Sequence, residues 1–356
     1  MFEILNSMKP YLGKLNCNYN LYELLVHIYF GHIIVWSFFY KNDFPSLLLA
    51  AHFFLKRPVL NRLSFSGIGY ETALDFAKRG AKVILACRNE TKAKNATERI
   101  IRESDNPNVF YELVDFESLN SVRDFAAEII RTQPKLNILV NNAGAGVLGD
   151  RLTEDELQIT MQVNYFAPFL LTMMLLDLLK ETPGSRIINV SSLAAIFGYV
   201  SLDNLNSFSG GEYHMYAKSK LCNILFTQEL ASRLGNTDVT TYSLHPGSVS
   251  TELFRNMPVY FKLPVEYVYM SLFRKTPLEG AQTTIHCAVQ KGIEDQSGQH
   301  FHNCRRWAKY LNARNPDLAK KLWKKTEEMV KLDTSILLMR AVIDKTVENG
   351  VVRSQS

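Results

Sequence analysis

A phenol and an ammonium stand four residues apart in the stretch YAKSK, as Tyr216 and Lys220. On a helix that spacing is one turn along one face. A free tyrosine has a pKa of about 10, too high for a good base near neutrality, and a lysine beside it favours the phenolate. Two hydroxyls, Ser191 and Ser192, end the stretch NVSS, NNAGAG begins at Asn141, and HPGSVST runs from His245 to Thr251. Tyr199 and Tyr213 are alternative phenols, but neither has a lysine four residues on. His214 reads as a loop or rim residue beside Tyr216.

A second group of residues has the types needed to hold phosphate. Gly67, Ile68 and Gly69 open the helix-like run YETALDFAKRG, and the strand-like KVILAC follows. Glycines at a strand-to-helix turn let backbone approach a pyrophosphate, which rests on helix N-terminal N–H groups. A GxG is weak evidence alone, because such turns are often merely structural. Arg88 ends the next strand-like run. An acidic residue there suits the ribose hydroxyl of NAD, whereas an arginine suits the 2′-phosphate of NADP; the plain alternative is a solvated surface arginine. Asp115 ends the following strand, in LVDF, where its carboxylate can contact an adenine. The first glycine of such a turn is missing, and Leu63 and Ser64 stand in its region.

These residues need a scaffold that brings strand ends and helix starts together. From about Val59 onward, short apolar strand-like runs (AKVILAC, VFYELVDF, LNILVNNAG, SRIINVSS, VTTYSLHPG) alternate with helix-like ones (ATERIIRE, SVRDFAAEIIR, YAKSKLCNILFTQELASRL). DELQITMQVNYFAPFLLTMMLLDLLK reads as one long helix. Alternating units with buried strands predict an α/β fold, a doubly wound Rossmann-type parallel sheet with helices on both faces. At 356 residues, 47% apolar and 21% charged, the composition is that of an ordinary globular protein. The net charge of +5 is mild, and no zinc-finger or RNA-binding signature is present, so nucleic acid is not an expected partner. The five cysteines form no CxxC pair, which argues against a disulfide framework or a metal site and for a reducing compartment.

The ordered set NNAGAG, NVSS, YAKSK and HPGSVST resembles the short-chain dehydrogenase/reductase family over about Val59 to Lys331. GIGYETA, VILACRN, SKLCNILFTQEL, HPGSVSTEL and SGQHFHNC look like its retinol dehydrogenase branch. The resemblance implies hydride transfer between a nicotinamide and a carbonyl carbon, with a matching proton transfer at oxygen. It implies that Tyr216 is the acid/base and that Lys220 lowers its pKa and holds the nicotinamide ribose. Ser192 is implied to hydrogen-bond the substrate oxygen, with Ser191 competing. Asn164, in QVNYF, matches the helix asparagine that supports a relay water near the lysine; the plain alternative is a polar residue bonding backbone. Asn141, Ala143 and Gly144 are implied to line the cofactor, and Pro246, Gly247 and Thr251 to meet its carboxamide end. The branch usually uses NADP(H), in agreement with Arg88, and acts on retinoids and other lipophilic aldehydes at membranes.

Two regions depart from the family pattern. Leu63 takes the first glycine's place and Arg62 the threonine's, so Asn61 and Arg62 fall inside what should be a buried central strand. Buried unpaired charge is costly, so a distorted or displaced strand and weakened cofactor binding are expected. The leader, residues 1–57, holds the apolar run LYELLVHIYFGHIIVWSFFY at 21–40, near the lower limit for a spanning helix. A hydrophobic N-terminal helix that anchors the chain to a membrane is expected there, and the resemblance places such a chain at the endoplasmic reticulum. The domain proper is expected over 58–332, with a tail over 333–356. After Thr251 comes ELFRNMPVYFKLPVEYVYMSLF, an apolar run where a substrate lid is expected; ordinary core or a contact in a homo-oligomer is the alternative. Three functions remain open: an NADP(H)-dependent oxidoreductase for a retinal-like alcohol/aldehyde pair, a reductase of steroid or other lipid carbonyls, and a non-catalytic binding or scaffold protein on a degraded nucleotide fold.

Overall fold

Alternation along the strands sorts apolar side chains onto two faces. In β2 (Lys82–Cys87), Val83, Leu85 and Cys87 join one core cluster, and Ile84 and Ala86 join the other. The same split separates Val59 from Leu60 in β1 (Pro58–Arg62), and Ile138 and Val140 from Leu139 in β4 (Ile138–Asn141). The computed structural model describes residues 58–62, 67–142, 144–146, 148–208, 210–247, 249 and 275–333, all within the unit His52–Ser356. The other strands are β3 (Val109–Leu113), β5 (Arg186–Val190), β6 (Thr240–Leu244), β7 (His300–His302) and β8 (Arg305–Trp307). They form one sheet in the order β3-β2-β1-β4-β5-β6-β7-β8. Every pairing is parallel except the last, β7 with β8.

Helices cover both faces. On one lie α1 (Ile68–Lys78), α2 (Glu90–Ser104) and, past the sheet's far half, the helix Pro277–Val289. On the other lie α3 (Leu119–Thr132), α4 (Ile159–Met161), α5 (Ala167–Met174), α6 (Leu176–Lys180), α7 (Gly211–Leu234) and, last in the chain, Pro316–Met329. In chain order Pro277–Val289 is α8 and Pro316–Met329 is α9. Phe169, Phe226 and Trp323 lock α5, α7 and α9 together, with ring centroids 5.0–5.6 Å apart.

Three expectations change here. First, β1 is neither distorted nor displaced. It pairs in unbroken register with β2 from Pro58↔Lys82 to Arg62↔Ala86, and with β4 from Val59↔Ile138 to Asn61↔Val140. Asn61 is fully buried yet neutral, and its amide donates to the carbonyl of Gly69 at 3.0 Å. A paired amide costs far less than a buried charge, and Arg62 is the last residue of the strand. Pro58 opens it, a strand position where a missing N–H is tolerated. Second, the long apolar helix is broken into α4, a π-helical segment Gln162–Phe166, α5 and α6. Third, the parallel sheet ends in an antiparallel hairpin. The anticipated spanning helix at 21–40, the lid after Thr251 and all of the tail but Asp333 lie outside the described residues. Among the described residues no helix is long and apolar enough to cross a membrane.

Candidate active site

The C-terminal end of β5 and the first half of α7 are stitched together by three groups. Lys220 is buried, and its Nζ donates to the carbonyl of Val190 at 3.0 Å. Ser191 is buried, and its Oγ donates to the carbonyl of Lys220 at 2.7 Å. Ser192 is half-buried, and its hydroxyl lies near enough to the phenol of Tyr216 to favour the phenolate. It also caps the 3-10 turn Leu193–Phe197, accepting from the N–H of Ala194 at 3.2 Å. The two serines therefore separate by role: Ser191 ties strand to helix, and Ser192 faces the phenol.

Burial pushes the Tyr216 phenol up to about 12, and Ser192 acts in the opposite direction. Lys220, one turn further along α7, stands close by. Its ammonium is engaged by Val190 and lies 5.7 Å from the centre of the Tyr216 ring. A phenol held this high is protonated at neutral pH, so it can donate to a carbonyl oxygen. Tyr199 and Tyr213 are exposed, and burial together with Lys218 lowers the pKa of His214. None of these three joins the Ser192 cluster.

Asn164 sits in the π-helical segment and is buried. Such segments interrupt helices frequently at functional sites. Its side chain exchanges two hydrogen bonds with the backbone of Ala145, at 2.9 and 3.0 Å, and donates to Ser219 Oγ at 3.1 Å. Ser219 in turn donates to the carbonyl of Tyr216 at 2.7 Å. Asn164 thus ties the loop after β4 to α7. Gly144 lies in the same knot: a Cβ there would stand 2.6 Å from Lys220 Nζ and 3.5 Å from Asn164 Oδ1. Glycine is the residue that lets this loop close over the lysine.

On the far side of the sheet's midline lie the residues with phosphate-binding character. Gly67 adopts φ 93° as the N-cap of α1, a conformation open mainly to glycine. Helices α2, α3, α8 and α9 begin on capping side chains (Asn89, Ser118, Thr276 and Asn315), whereas α1 has no side-chain cap. Its first N–H groups are the kind that take an anion. Ile68 follows, half-buried, and Gly69 is buried with its carbonyl on Asn61. Arg88 is exposed after β2, 2.5 Å from Glu117 and 3.8 Å from Asp115. The Asp115 carboxylate also accepts from the N–H of Glu117. Asn141 points into a structural brace: its amide donates to Thr172 Oγ1 at 3.0 Å and to Asn189 Oδ1 at 2.9 Å. Ala143 and Thr251 lie outside the described residues.

Beyond β6, Pro246 and Gly247 turn the chain, with Gly247 at φ 92°. Lys275 supports the turn from below, its Nζ donating to the carbonyl of Pro246 at 3.3 Å and to Asn303 Oδ1 at 2.5 Å. A Cβ on Gly247 would press on the Lys275 stem at 3.0 Å. His245 stacks on His302 with ring centroids 3.8 Å apart. Sequence reasoning did not single out Lys275, Glu117 or Asn312, whose amide meets the turn after Ser192. Each reaches its partner only through tertiary contact, and no local spacing announces it.

The short chain dehydrogenase family profile matches residues 64–258. The chain belongs to the short-chain dehydrogenase/reductase family. Retinol dehydrogenase 11 of Mus musculus is 42% identical over 262 residues, covering 72% of this chain and 81% of that protein. Retinol dehydrogenase 12 of Homo sapiens is 40% identical, covering 74% and 83%. Dehydrogenase/reductase SDR family member 13 of Bos taurus is 40% identical, covering 75% and 71%. These relatives put the chain in the retinol dehydrogenase-like branch of this oxidoreductase family. Among solved structures, an uncharacterized protein from Mycobacterium paratuberculosis superposes with a TM-score of 0.63 at 26% identity, covering 78% of this chain and 94% of that one. A short-chain dehydrogenase from Burkholderia cenocepacia, in complex with NADP, gives a TM-score of 0.56 at 23% identity, covering 70% and 96%.

Proposed function

We propose that this chain is an NADP(H)-dependent oxidoreductase that interconverts a lipophilic alcohol and its aldehyde or ketone, with a retinal-like compound as the first candidate. The observation that carries the reading is Tyr216 buried one turn before Lys220 on α7, packed against the Ser192 turn, with Lys220 Nζ fixed to the carbonyl of Val190 at the end of β5. The bound nicotinamide would supply or take the hydride. Tyr216 Oη gives its proton to the substrate oxygen in reduction and recovers it in oxidation. Ser192 Oγ donates to the same oxygen and steadies the charge growing there. Lys220 favours the phenolate once it forms. Asn164 holds the loop that closes over that lysine.

The residues present fit NADP(H). The uncapped start of α1 and the Gly67 turn suit a pyrophosphate, Gly144 leaves the space beside Lys220 that a side chain would fill, and Arg88 is exposed for a 2′-phosphate. Arg88 must leave Glu117 to bind it. An exposed ion pair is worth about 0–1 kcal/mol and a charge-assisted phosphate contact about 1.5–3 kcal/mol, so the phosphate wins. Exposed Tyr199, Phe208 and Tyr213 lie on the segment between Ser192 and Tyr216, an apolar rim suited to a lipid-dissolved substrate. Residues 58–332 form the catalytic domain in this reading, and the apolar run at 21–40 places it on a membrane, that of the endoplasmic reticulum by analogy with its branch.

Titration of the detergent-solubilised full chain with NADPH and NADH, followed by nicotinamide fluorescence, tests the reading. Micromolar NADPH binding, tighter than NADH, is expected, and retinal should then turn over ahead of steroid carbonyls in a substrate panel. Failure to bind either nucleotide would favour the scaffold alternative and make the Leu63 turn the cause. Preference for a steroid would keep the chemistry and change the substrate.

A further inference from the structure

The turn behind Ser192 is held by a residue more than a hundred positions away. Asn312 lies in the single 3-10 turn Leu311–Ala313, just past the β7–β8 hairpin. Its Nδ2 donates to the carbonyls of Ala195 at 2.8 Å, Ile196 at 3.1 Å and Gly198 at 2.7 Å. These carbonyls close the 3-10 turn Leu193–Phe197, whose N-cap is Ser192. The Ala195 carbonyl also accepts from the N–H of Gly198 at 3.1 Å, whereas the last carbonyls of a helix otherwise lack a partner inside it. An amide nitrogen carries two hydrogens, so Gly198 and Ala195 take one each and Ile196 shares.

The opposite side of the turn rests on α7. A Cβ on Gly198 would stand 2.6 Å from the carbonyl oxygen of Ala217 and 2.9 Å from Leu221 Cβ. Ala217 and Leu221 directly follow Tyr216 and Lys220. The Asn312 turn is fastened to the same helix, because Gln228 Nε2 donates to the carbonyl of Ala313 at 2.9 Å. Helix α7 therefore carries the phenol, the seat for Gly198 and the anchor for Asn312. The Ser192 turn is gripped between the last two.

We propose that Asn312 is a positioning residue: by clamping the Ser192 turn against α7 it sets where the Ser192 hydroxyl stands relative to Tyr216. The inference rests on the reading of Ser192 and Tyr216 given above. Five-residue 3-10 turns have weak internal hydrogen bonds and need an outside clamp to hold a catalytic hydroxyl within a fraction of an ångström. Misplacement by about 1 Å can cost on the order of 100-fold in rate.

The test uses the full chain with Asn312→Ala and Asn312→Leu, each also in a Ser192→Ala background. The measurements are kcat with NADPH and a carbonyl substrate, NADPH affinity, and amide hydrogen exchange over residues 193–198. Asn312→Ala is expected to lower kcat by about 10- to 100-fold when Ser192 is present. In the Ser192→Ala background the further loss should be under about twofold, since a residue acting through Ser192 has nothing left to position. NADPH affinity should stay within about twofold. Exchange at Ala195 and Gly198 should quicken while that of distal α7 does not change. Asn312→Leu, which keeps the volume and removes the donors, should behave like Asn312→Ala. Equal kcat losses in both backgrounds, quickened exchange with unchanged kcat, or unchanged exchange would each overturn the proposal. A wild-type chain that binds NADPH but reduces no carbonyl would overturn the functional reading instead. The clamp would then stand or fall on exchange alone.

Discussion

At the scale of single residues, competition between neighbours decides what each group can do. Arg88 has two carboxylates within 4 Å, at Glu117 and Asp115, and is nevertheless exposed enough to exchange them for a phosphate. Arg88→Ala should weaken NADPH by about 10- to 100-fold, the equivalent of about 1.5–3 kcal/mol. NADH should change by less than about threefold, because the lost contact is to the 2′-phosphate alone. Fluorescence titration of both nucleotides checks this, and parallel losses would remove Arg88 as the selector. Tyr216→Phe keeps the ring and removes the proton. It should lower kcat by at least about 100-fold with NADPH affinity unchanged, and unchanged turnover would remove Tyr216 from the chemistry. The residues in these two predictions were legible in the sequence because each stands within a few positions of its telltale neighbours. Ser192 was preferred to Ser191 by resemblance alone; the physical ground, Ser191 Oγ spent on the carbonyl of Lys220, was not legible. Nor was the height of the Tyr216 pKa, which burial sets and no spacing reports.

At the scale of elements, β1 and the Ser192 turn show two ways in which a backbone tolerates an awkward residue. The alternating pattern foretold the parallel strands and most helices well, because a period of two or of 3.6 is local. It overstated the damage in β1. Asn61 looks like a defect in a central strand until its amide is found on the carbonyl of Gly69, eight residues on and across the turn. Asn61→Asp keeps the shape but replaces the donor with a buried carboxylate facing that carbonyl. It should destabilise the fold by about 3 kcal/mol or more, read as a fall in the urea midpoint at neutral pH. A loss below about 1 kcal/mol would mean that the position is wetter than its burial implies. The break of the long apolar helix at Gln162–Phe166 was equally hidden, since a π-helical segment leaves no composition signal. Gly198→Ala is the counterpart for the Ser192 turn. The added carbon meets backbone, which cannot rotate away, so a cost of about 1–3 kcal/mol is expected together with a fall in kcat. Unchanged melting and turnover would show that the turn has slack.

At the scale of the whole molecule, the added β7–β8 hairpin brings imidazoles into the interior beside the Pro246–Gly247 turn. His300 and His302 stand on β7 and stack around His245, which follows β6. Burial lowers His245 well below the usual histidine range, His302 to about 4 and His300 to about 3; neighbouring imidazoles add to the effect at His245 and His300, and Lys275 adds to it at His302. Burial lowers His214 and His286 in the same sense. At pH 7 these rings are neutral folded or unfolded and add no pH dependence. Below about 6.5 the unfolded chain takes up protons that the folded chain refuses, so stability falls as pH falls, until the folded values are reached. Each histidine contributes at most about 1.4 kcal/mol per pH unit in that window. The lowered carboxyls, Glu103, Glu117 and Glu294, act below the ordinary carboxylate range, and Glu112, raised by burial, acts above it in the opposite sense, so the histidines drive the fall between pH 6.5 and 5. Urea unfolding at half-unit steps from pH 7 to 5 should show a steady loss with a slope of more than one proton. His302→Asn should reduce that slope by about one proton while leaving Arg88-dependent NADPH selectivity intact. A flat profile in the wild-type chain, or the same slope in the variant, would mean that the stack admits water and protons in the folded state.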